Sequence, residues 1–362
     1  MKKFSILFYL AVRCLCLSAQ DDHWYRVYSG SIGSANATIH LCKHGSSYCG
    51  YAWLDKTQWP MSIYPGDRAG VTDSITMIAS TEPITLTLIG IFNHENFTGR
   101  SSLQRDDNPP KSGGVQMQAT HDQKFTSFDY FSAEDSAKLL PKIKNESTAD
   151  YIVSATWPTG NSPLDNAIKV RIRKMLKMPA AIESPAAWIA TQVKKSAAEW
   201  KKTNSKLSPK DAEDMGLSLS DQEETRIVVM YENENYITLA NYNYAYTGGA
   251  HGNYATELVT LAKQSGKQLQ LPDVLTTKGI QSLPVILDKV ARLLFGIKNN
   301  LSLDQNNFLV KTIEPSKNFY ITSTGIGFLY APYEIKSFAD GDINLLIPFT
   351  ALTNYLQPGF KH

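Results

Sequence analysis

The chain has 362 residues, 43% of them hydrophobic, and a formal net charge of +2. This length suffices for two domains of ordinary size, each with a packed core. The balanced charge argues against a nucleic-acid-binding protein, which would carry a basic stripe. The 18 tyrosines suit β-sheet faces and surfaces that bind carbohydrate or protein.

The first twenty residues are typical of a secretory signal peptide. Lys2 and Lys3 form a charged end, residues 4–17 form an apolar segment, and Ser18-Ala19-Gln20 offers a cleavage site. An N-terminal membrane anchor is the alternative, but the apolar segment is too short for it. No later run reaches the roughly 18 apolar residues that a membrane helix needs. We therefore expect an extracytoplasmic protein, periplasmic or secreted, without a stable membrane span.

Residues 21–147 are predicted to form an antiparallel β-meander domain. Short runs that alternate apolar with polar residues are separated by glycine and proline turns, which indicates a sheet that curls or closes. These runs cover residues 37–42, 48–54, 61–64, 74–79, 84–92 and 115–119. Residues 104–114 are polar and rich in proline, and we predict a loop there. Ser132-Ala133-Glu134-Asp135 has a helix-capping composition and predicts a short helix to about residue 140.

The mature chain keeps two cysteines, Cys42 and Cys49. They flank six residues between two strand-like runs, so they can face each other across a hairpin. An oxidising compartment would join them in a disulfide. A metal site is the alternative, with His40 and His44 nearby. One hairpin offers too few ligands for it, so no metal is predicted.

Residues 148–362 alternate helical and strand patterns and are predicted to form an α+β domain. Helices are expected at 163–178, from 185 onward, at 277–295 and at 349–356. Strands are expected at 150–157, 226–231, 236–246, 254–261, 318–323, 327–330 and 343–348.

Between two of these strands lies a loop that is unusually rich in glycine, from Tyr246 to Asn253. It contains three glycines and a histidine, where a plain hairpin needs only two residues of special geometry. Either close packing or a ligand would explain so bare a backbone.

The sequence Tyr246-Thr247-Gly248-Gly249-Ala250-His251-Gly252 resembles the signature loop of a family of bacterial extracytoplasmic domains of unknown function. Residues 265–275 and 328–349 are similar to two further segments of that family. Its members include the ectodomain of a lysozyme-sensing anti-sigma factor and the non-catalytic N-terminal region of a peptidoglycan deacetylase. The resemblance covers roughly residues 150–360. It implies a curved antiparallel sheet with packed helices. It does not imply an enzyme, since family members bind or have an unknown role.

Six residues of the matching stretches are candidate ligand-binding residues: His251, Tyr246, Asn253, Tyr330, Tyr333 and Glu334. His251 would either line a binding pocket or fix the loop by a hydrogen bond. The tyrosines would either present a stacking surface or pack within the sheet. Glu334 lies in an apolar run and needs a partner if buried, so we expect it to pair with His251.

Two classes of function fit the sequence. The first is a non-catalytic binding module for a cell-wall glycan or a lysozyme-like protein, without a cofactor. The second is a hydrolase that acts on cell-envelope material. Neither Ser265 nor Ser323 lies in a nucleophile elbow, and no catalytic residue is predicted. A deep polar pocket at the loop would favour the enzyme, whereas a flat aromatic surface would favour binding.

Overall fold

The computed structural model describes residues 23–361 except 46, 57–58, 66–74, 82–83, 94, 106–107 and 140–146. The predicted signal peptide therefore lies outside the described residues. Within the described part of the chain, no helix has the length and apolar character needed to cross a membrane.

Eight strands at the N-terminal end form a closed antiparallel barrel. They are β1 (His23–Ile32), β2 (Ala35–His44), β3 (Ser47–Leu54), β4 (Pro60–Pro65), β5 (Ile75–Thr81), β6 (Ile84–Asn93), β7 (Asn96–Arg105) and β8 (Lys111–Ala119). Each pairs with its neighbour in sequence, and β1 pairs with β8 to close the barrel. Alternation places one face of every strand inside, where Tyr28, Met61 and Phe97 are fully buried. The predicted meander that closes is confirmed.

The predicted loop at 104–114 is too long. Residues 111–114 belong to β8 and pair with β7. Lys111 and Ser112 are polar and the next two residues are glycines, so a hydrophobicity pattern does not show this pairing, for which β7 supplies the backbone partners. Gly113 also lies against Gly33, where a Cβ atom would approach the Gly33 Cα within 2.6 Å.

The second sheet has five strands in the order β13-β12-β11-β10-β9. They are β9 (Phe128–Lys138), β10 (Thr148–Pro158), β11 (Asp221–Glu232), β12 (Tyr236–Tyr246) and β13 (Asn253–Ala262). All neighbours are antiparallel except β10 and β11, which are parallel. That parallel pair is joined through three helices, α1 (Pro163–Met175), α2 (Pro185–Asn204) and α3 (Pro209–Met215).

The predicted helix at 132–140 is wrong, because these residues continue β9. Phe128 and Tyr130 are buried and Asp129 between them is exposed, which is the period of a strand. Helix α2 buries Val193, Ala197 and Trp200 against β9 and β10. The acidic residues that suggested a helix cap lie on an edge strand, where charge is well tolerated.

A three-stranded sheet closes the fold, flanked by short and long helices. Its strands are β14 (Phe319–Ile321), β15 (Gly325–Tyr330) and β16 (Ile343–Pro348), and the helices are α4 (Leu271–Val274), α5 (Thr277–Leu294) and α6 (Phe349–Leu352). Thr276 caps α5 by accepting a hydrogen bond from the Gly279 amide at 3.2 Å. The predicted α+β class is confirmed.

The barrel and the five-stranded sheet share buried contacts. Tyr25 and Cys49 of the barrel belong to the same apolar cluster as Tyr130 and Trp157. The division of the chain between residues 147 and 148 stays a prediction. Strand β9 precedes that point and pairs with β10 beyond it along its whole length.

Candidate ligand-binding surface

Strand β12 carries tyrosines at every second position towards its end. Tyr242, Tyr244 and Tyr246 share one face of the sheet and are half-buried. Tyr254 of β13 lies directly opposite Tyr244 in the register. Four aromatic side chains thus converge at the end of this hairpin, beside the glycine-histidine loop.

Close packing explains two of the loop glycines. Gly248 has φ +87°, and a Cβ atom on it would lie 2.4 Å from the Ser218 carbonyl oxygen. At Gly252, a Cβ atom would lie within 2.5 Å of the Tyr244 ring. The Tyr246 hydroxyl then donates to the Gly249 carbonyl at 3.1 Å. The bare backbone therefore holds the loop against its neighbours and seats the Tyr244 ring.

His251 lies at the exposed tip of this loop and stacks on Phe338, with ring centroids 4.0 Å apart. Its Nδ1 donates to the Gly252 carbonyl at 2.9 Å. The Tyr333 hydroxyl faces Nε2 at 3.5 Å. His251 therefore fixes the loop by a hydrogen bond, and its role in binding stays a prediction.

Tyr333 is held in an unusual conformation. Its φ is +70°, a left-handed value that is uncommon for a bulky residue. Its side chain is 56% exposed and leans on Phe338 at 5.8 Å between ring centroids. The backbone amide of Tyr333 donates to the Lys336 carbonyl, which closes the turn. An exposed aromatic residue is therefore fixed at a backbone position that costs free energy.

These rings form one continuous patch, which we call the aromatic surface: Tyr242, Tyr244, Tyr246, His251, Tyr254, Tyr333 and Phe338. Tyr254 meets Phe338 at 5.8 Å and Tyr242 at 6.0 Å. The patch lines an open depression of about 580 Å³, which Tyr333 borders. Sequence reasoning missed four of its members, although tyrosines at every second position of β12 would have indicated two of them.

The remaining predicted site residues lie elsewhere. Tyr330 is buried, and its hydroxyl donates to the Glu314 carbonyl at 2.8 Å. Asn253 is exposed at the start of β13 and does not line the depression.

The predicted pair of His251 and Glu334 is wrong. Glu334 is exposed and makes no ion pair with His251; it accepts from the Ala331 amide at 2.8 Å. The apolar run around it is a tight turn and not a strand, so its side chain points away from the core.

A second cavity adjoins the aromatic surface. It is a cleft of about 470 Å³ where the barrel, the five-stranded sheet and the three-stranded sheet meet. We call it the junction cleft. Its walls include Tyr51 and Ser62 of the barrel, Arg226 of β11, and Asp342 beside β16. Tyr242 and Tyr254 line both the cleft and the aromatic surface.

Asp342 differs from the other charged groups of the junction cleft. Its Oδ1 is shielded from water and has no hydrogen-bond partner among the described residues. Burial, with a smaller effect from Glu334, raises the pKa of Asp342 to about 7. Arg226, by contrast, pairs with Glu224 and lies over the Tyr242 ring at 5.4 Å. Asp340 pairs with Lys336 at 2.8 Å.

The two cysteines lie directly opposite each other on β2 and β3. Both are buried, and both are free thiols in this structure. The hydrogen bond from Cys42, together with the nearby Arg226 charge, lowers the pKa of Cys49. Their register brings the side chains together as predicted from the hairpin, and the disulfide itself stays a prediction. Among the described residues, no group of three or more His, Cys, Asp or Glu side chains could hold a metal ion.

The solved structures that resemble this chain include two DUF3298 family proteins. A DUF3298 family member from Bacteroides fragilis NCTC 9343 aligns with a TM-score of 0.57 and 20% identity, over 64% of this chain and 94% of its own. A DUF3298 family protein from Pseudomonas aeruginosa PAO1 aligns with a TM-score of 0.46 and 15% identity, over 64% and 95%. The first likeness shows a shared fold. A search of curated proteins found no match.

Two family models match adjoining parts of the sequence. Residues 141–254 match the model described as deacetylase PdaC, and residues 252–350 match the protein of unknown function DUF3298. The glycine-histidine loop lies where the two segments meet, and its family resemblance is confirmed. The C-terminal part of this chain therefore combines, in this order, a segment similar to the PdaC family and a segment similar to the DUF3298 family.

Proposed function

We propose that this protein is an extracytoplasmic, non-catalytic binding module that holds a cell-wall glycan on its aromatic surface. A pyranose ring has a face of C–H groups and an edge of hydroxyls. Tyrosine offers the complementary combination, an apolar face and a polar hydroxyl. The signal-like start of the sequence and the extracytoplasmic character of the family support the location.

The observation that carries this proposal is the conformation of Tyr333. A positive φ in a bulky residue costs about 1–3 kcal/mol and persists only where the surroundings enforce it. Here the surroundings are Phe338 and the His251 loop, and the result is an exposed ring. Strain that keeps an aromatic side chain in solvent is characteristic of a binding surface.

Titration of wild-type protein with an N-acetylglucosamine tetramer, followed by calorimetry, tests the proposal. Y333A should weaken binding about tenfold, because one stacking face is lost. Y333F is the matched control and should bind nearly as wild type, since it keeps the ring. If the glycan does not bind and lysozyme does, the ligand is a lysozyme-like protein and the glycan proposal fails.

Hydrolysis of envelope material is the second candidate, and one observation favours it. Asp340 and Asp342 line the same cleft with pKa values moved in opposite directions. Although burial opposes it, hydrogen bonds from Lys336 and Ser337 lower the pKa of Asp340, while burial raises that of Asp342. Such a pair can supply a base and an acid. Release of new reducing ends from the tetramer by wild-type protein but not by D342N would establish this activity.

A further inference from the structure

We propose that the junction cleft binds a primary ammonium group, with Asp342 as its counter-ion. The inference deepens the proposed function, because Tyr242 and Tyr254 line both the cleft and the aromatic surface. It assigns a chemical class to one part of the ligand, a sugar or peptide that carries a free amine.

The lack of any partner for Asp342 is the first observation. A carboxylate removed from water is normally paired or hydrogen-bonded, since desolvation otherwise costs several kcal/mol. The Oδ1 atom of Asp342 is out of contact with water and accepts no hydrogen bond from any described residue. The neighbouring Asp340 shows the ordinary arrangement, with Lys336 and Ser337 as donors. Within the part of the chain that the structure describes, the cleft therefore contains one acid without a donor.

The aromatic walls are the second observation. Tyr51 enters from the barrel, Tyr242 from β12 and Tyr254 from β13. The Tyr254 hydroxyl lies against the backbone of Gly341 and Asp342. Aromatic faces around a carboxylate favour a cation, because both the ring quadrupole and the anion attract it.

Among the described residues, no cation is free to pair with Asp342 in this position. Arg226 is the one basic residue that lines the cleft within the described part of the protein. Its guanidinium is held by Glu224 and by the Tyr242 ring. A tetrahedral ammonium, with three donors, can satisfy the carboxylate while meeting the tyrosine hydroxyls. The cleft volume of about 470 Å³ accommodates a sugar residue or a lysine side chain.

Charge regulation by pH follows from the groups around Asp342. These are Tyr51, Tyr242 and Tyr254, Arg226 of β11, and Glu334 from the preceding turn. Burial raises the pKa of all three tyrosines, so their phenols stay neutral at physiological pH. The pKa of Asp342 is raised to about 7, so its charge appears between pH 6 and pH 8. Ammonium binding favours the charged carboxylate and should release a proton.

Calorimetry on the full chain tests the proposal with three probes: a glucosamine tetramer, an N-acetylglucosamine tetramer and N-acetyl-lysine amide. The amine-bearing probe that fits should bind wild-type protein and lose about thirtyfold or more in affinity with D342N, as for other buried charge pairs. E334Q is the matched control. It removes a nearby but exposed charge and should change affinity less than about threefold.

The probes separate the sources of the amine. Binding of the glucosamine tetramer alone indicates an amino sugar, whereas binding of the lysine derivative alone indicates a peptide. Binding of the N-acetylated tetramer should be equal in wild type and D342N. That result, combined with the Y333A measurement, keeps failure of this inference distinct from failure of the glycan proposal.

Two results would overturn the inference. One is equal affinity of wild type and D342N for every amine probe. The other needs no variant: wild-type binding of N-acetyl-lysine amide at pH 7, measured in two buffers of different ionisation enthalpy, without proton release. The lysine amine itself titrates near ~10.4, so a fall in affinity from pH 8 to pH 6 would report on the protein.

Discussion

Two acidic residues, Glu232 and Asp342, differ in their hydrogen-bond partners. Glu232 lies where the barrel meets the five-stranded sheet, and Asp342 lies in the junction cleft. Glu232 is buried, and its Oε1 accepts from the Thr126 amide at 2.9 Å, the Thr126 hydroxyl at 2.8 Å and Lys263 Nζ at 2.5 Å. Its Oε2 has no described partner. Asp342 in the cleft has no side-chain partner among the described residues. Neither burial of an acid nor one unpaired oxygen therefore indicates a ligand site; the lack of a described donor to the whole carboxylate does.

The largest expected effect concerns the strand that precedes the predicted domain boundary. A fragment of residues 148–362 lacks β9, so the whole edge of β10 and the contacts of Phe128 and Tyr130 are lost. We expect a fragment of residues 120–362, which also keeps Thr126 beside Glu232, to unfold cooperatively and to be the more stable of the two. Urea unfolding followed by circular dichroism compares them. Equal midpoints would show that β9 and the Thr126 contact contribute nothing.

Removal of Glu232, the acid that is paired with Lys263, should destabilise the protein. E232A removes the carboxylate that pairs with Lys263 and leaves its ammonium only the Lys124 carbonyl among the described residues, and breaking a buried ion pair costs about 3 kcal/mol. E234A is the matched control, because Glu234 is an exposed acid of the same turn and its loss should change the free energy of unfolding by less than about 0.5 kcal/mol. Denaturant unfolding measures both. Equal losses in the two variants would remove the contrast between the paired and the exposed acid.

Removal of Asp342, the acid without a described partner, should increase the free energy of unfolding. The pKa of Asp342 is about 7 in the folded protein and ~3.9 when unfolded, so the folded state holds the extra proton between these values. Its contribution to stability is present below pH ~3.9 and is lost as pH rises through 7. D342N should therefore gain about 2 kcal/mol over wild type at pH 8, allowing for partial exposure, and nothing at pH 4. A loss of stability at pH 8 would assign Asp342 a structural role.

The smallest expected effect on stability concerns the two cysteines. Cys49 lies near Arg226, which lines the junction cleft. Cys42 and Cys49 face each other across β2 and β3. We expect a disulfide in the exported protein, worth about 2 kcal/mol or less because the loop is short. Intact mass before and after reduction detects it, and unfolding with and without reductant measures its contribution. Two freely alkylated thiols in the exported protein would contradict this prediction.

Much of the secondary structure could be predicted because it follows from local pattern. Alternation of apolar and polar residues indicated the meander, and the faces of α1 and α2 were visible as helical periods. Ile168, Ile172, Ile189 and Val193 are buried as those periods require. The pattern failed at β9, where a strand edge tolerates the same acids that cap a helix.

The candidate site depended more on tertiary structure. The sequence indicated His251, Tyr246 and Tyr333, because the glycine-rich loop and the matching segments mark those stretches. From the sequence we expected Glu334 beside His251, but Phe338 packs there. A buried strand and an exposed turn can both place apolar residues next to a glutamate, so the sequence pattern did not separate them. The junction cleft could not be predicted at all. Tyr51 and Tyr242 lie on two separate sheets and Asp342 directly precedes a strand of a third, and only the packing of those sheets shields the Asp342 Oδ1 from water without giving it a described donor.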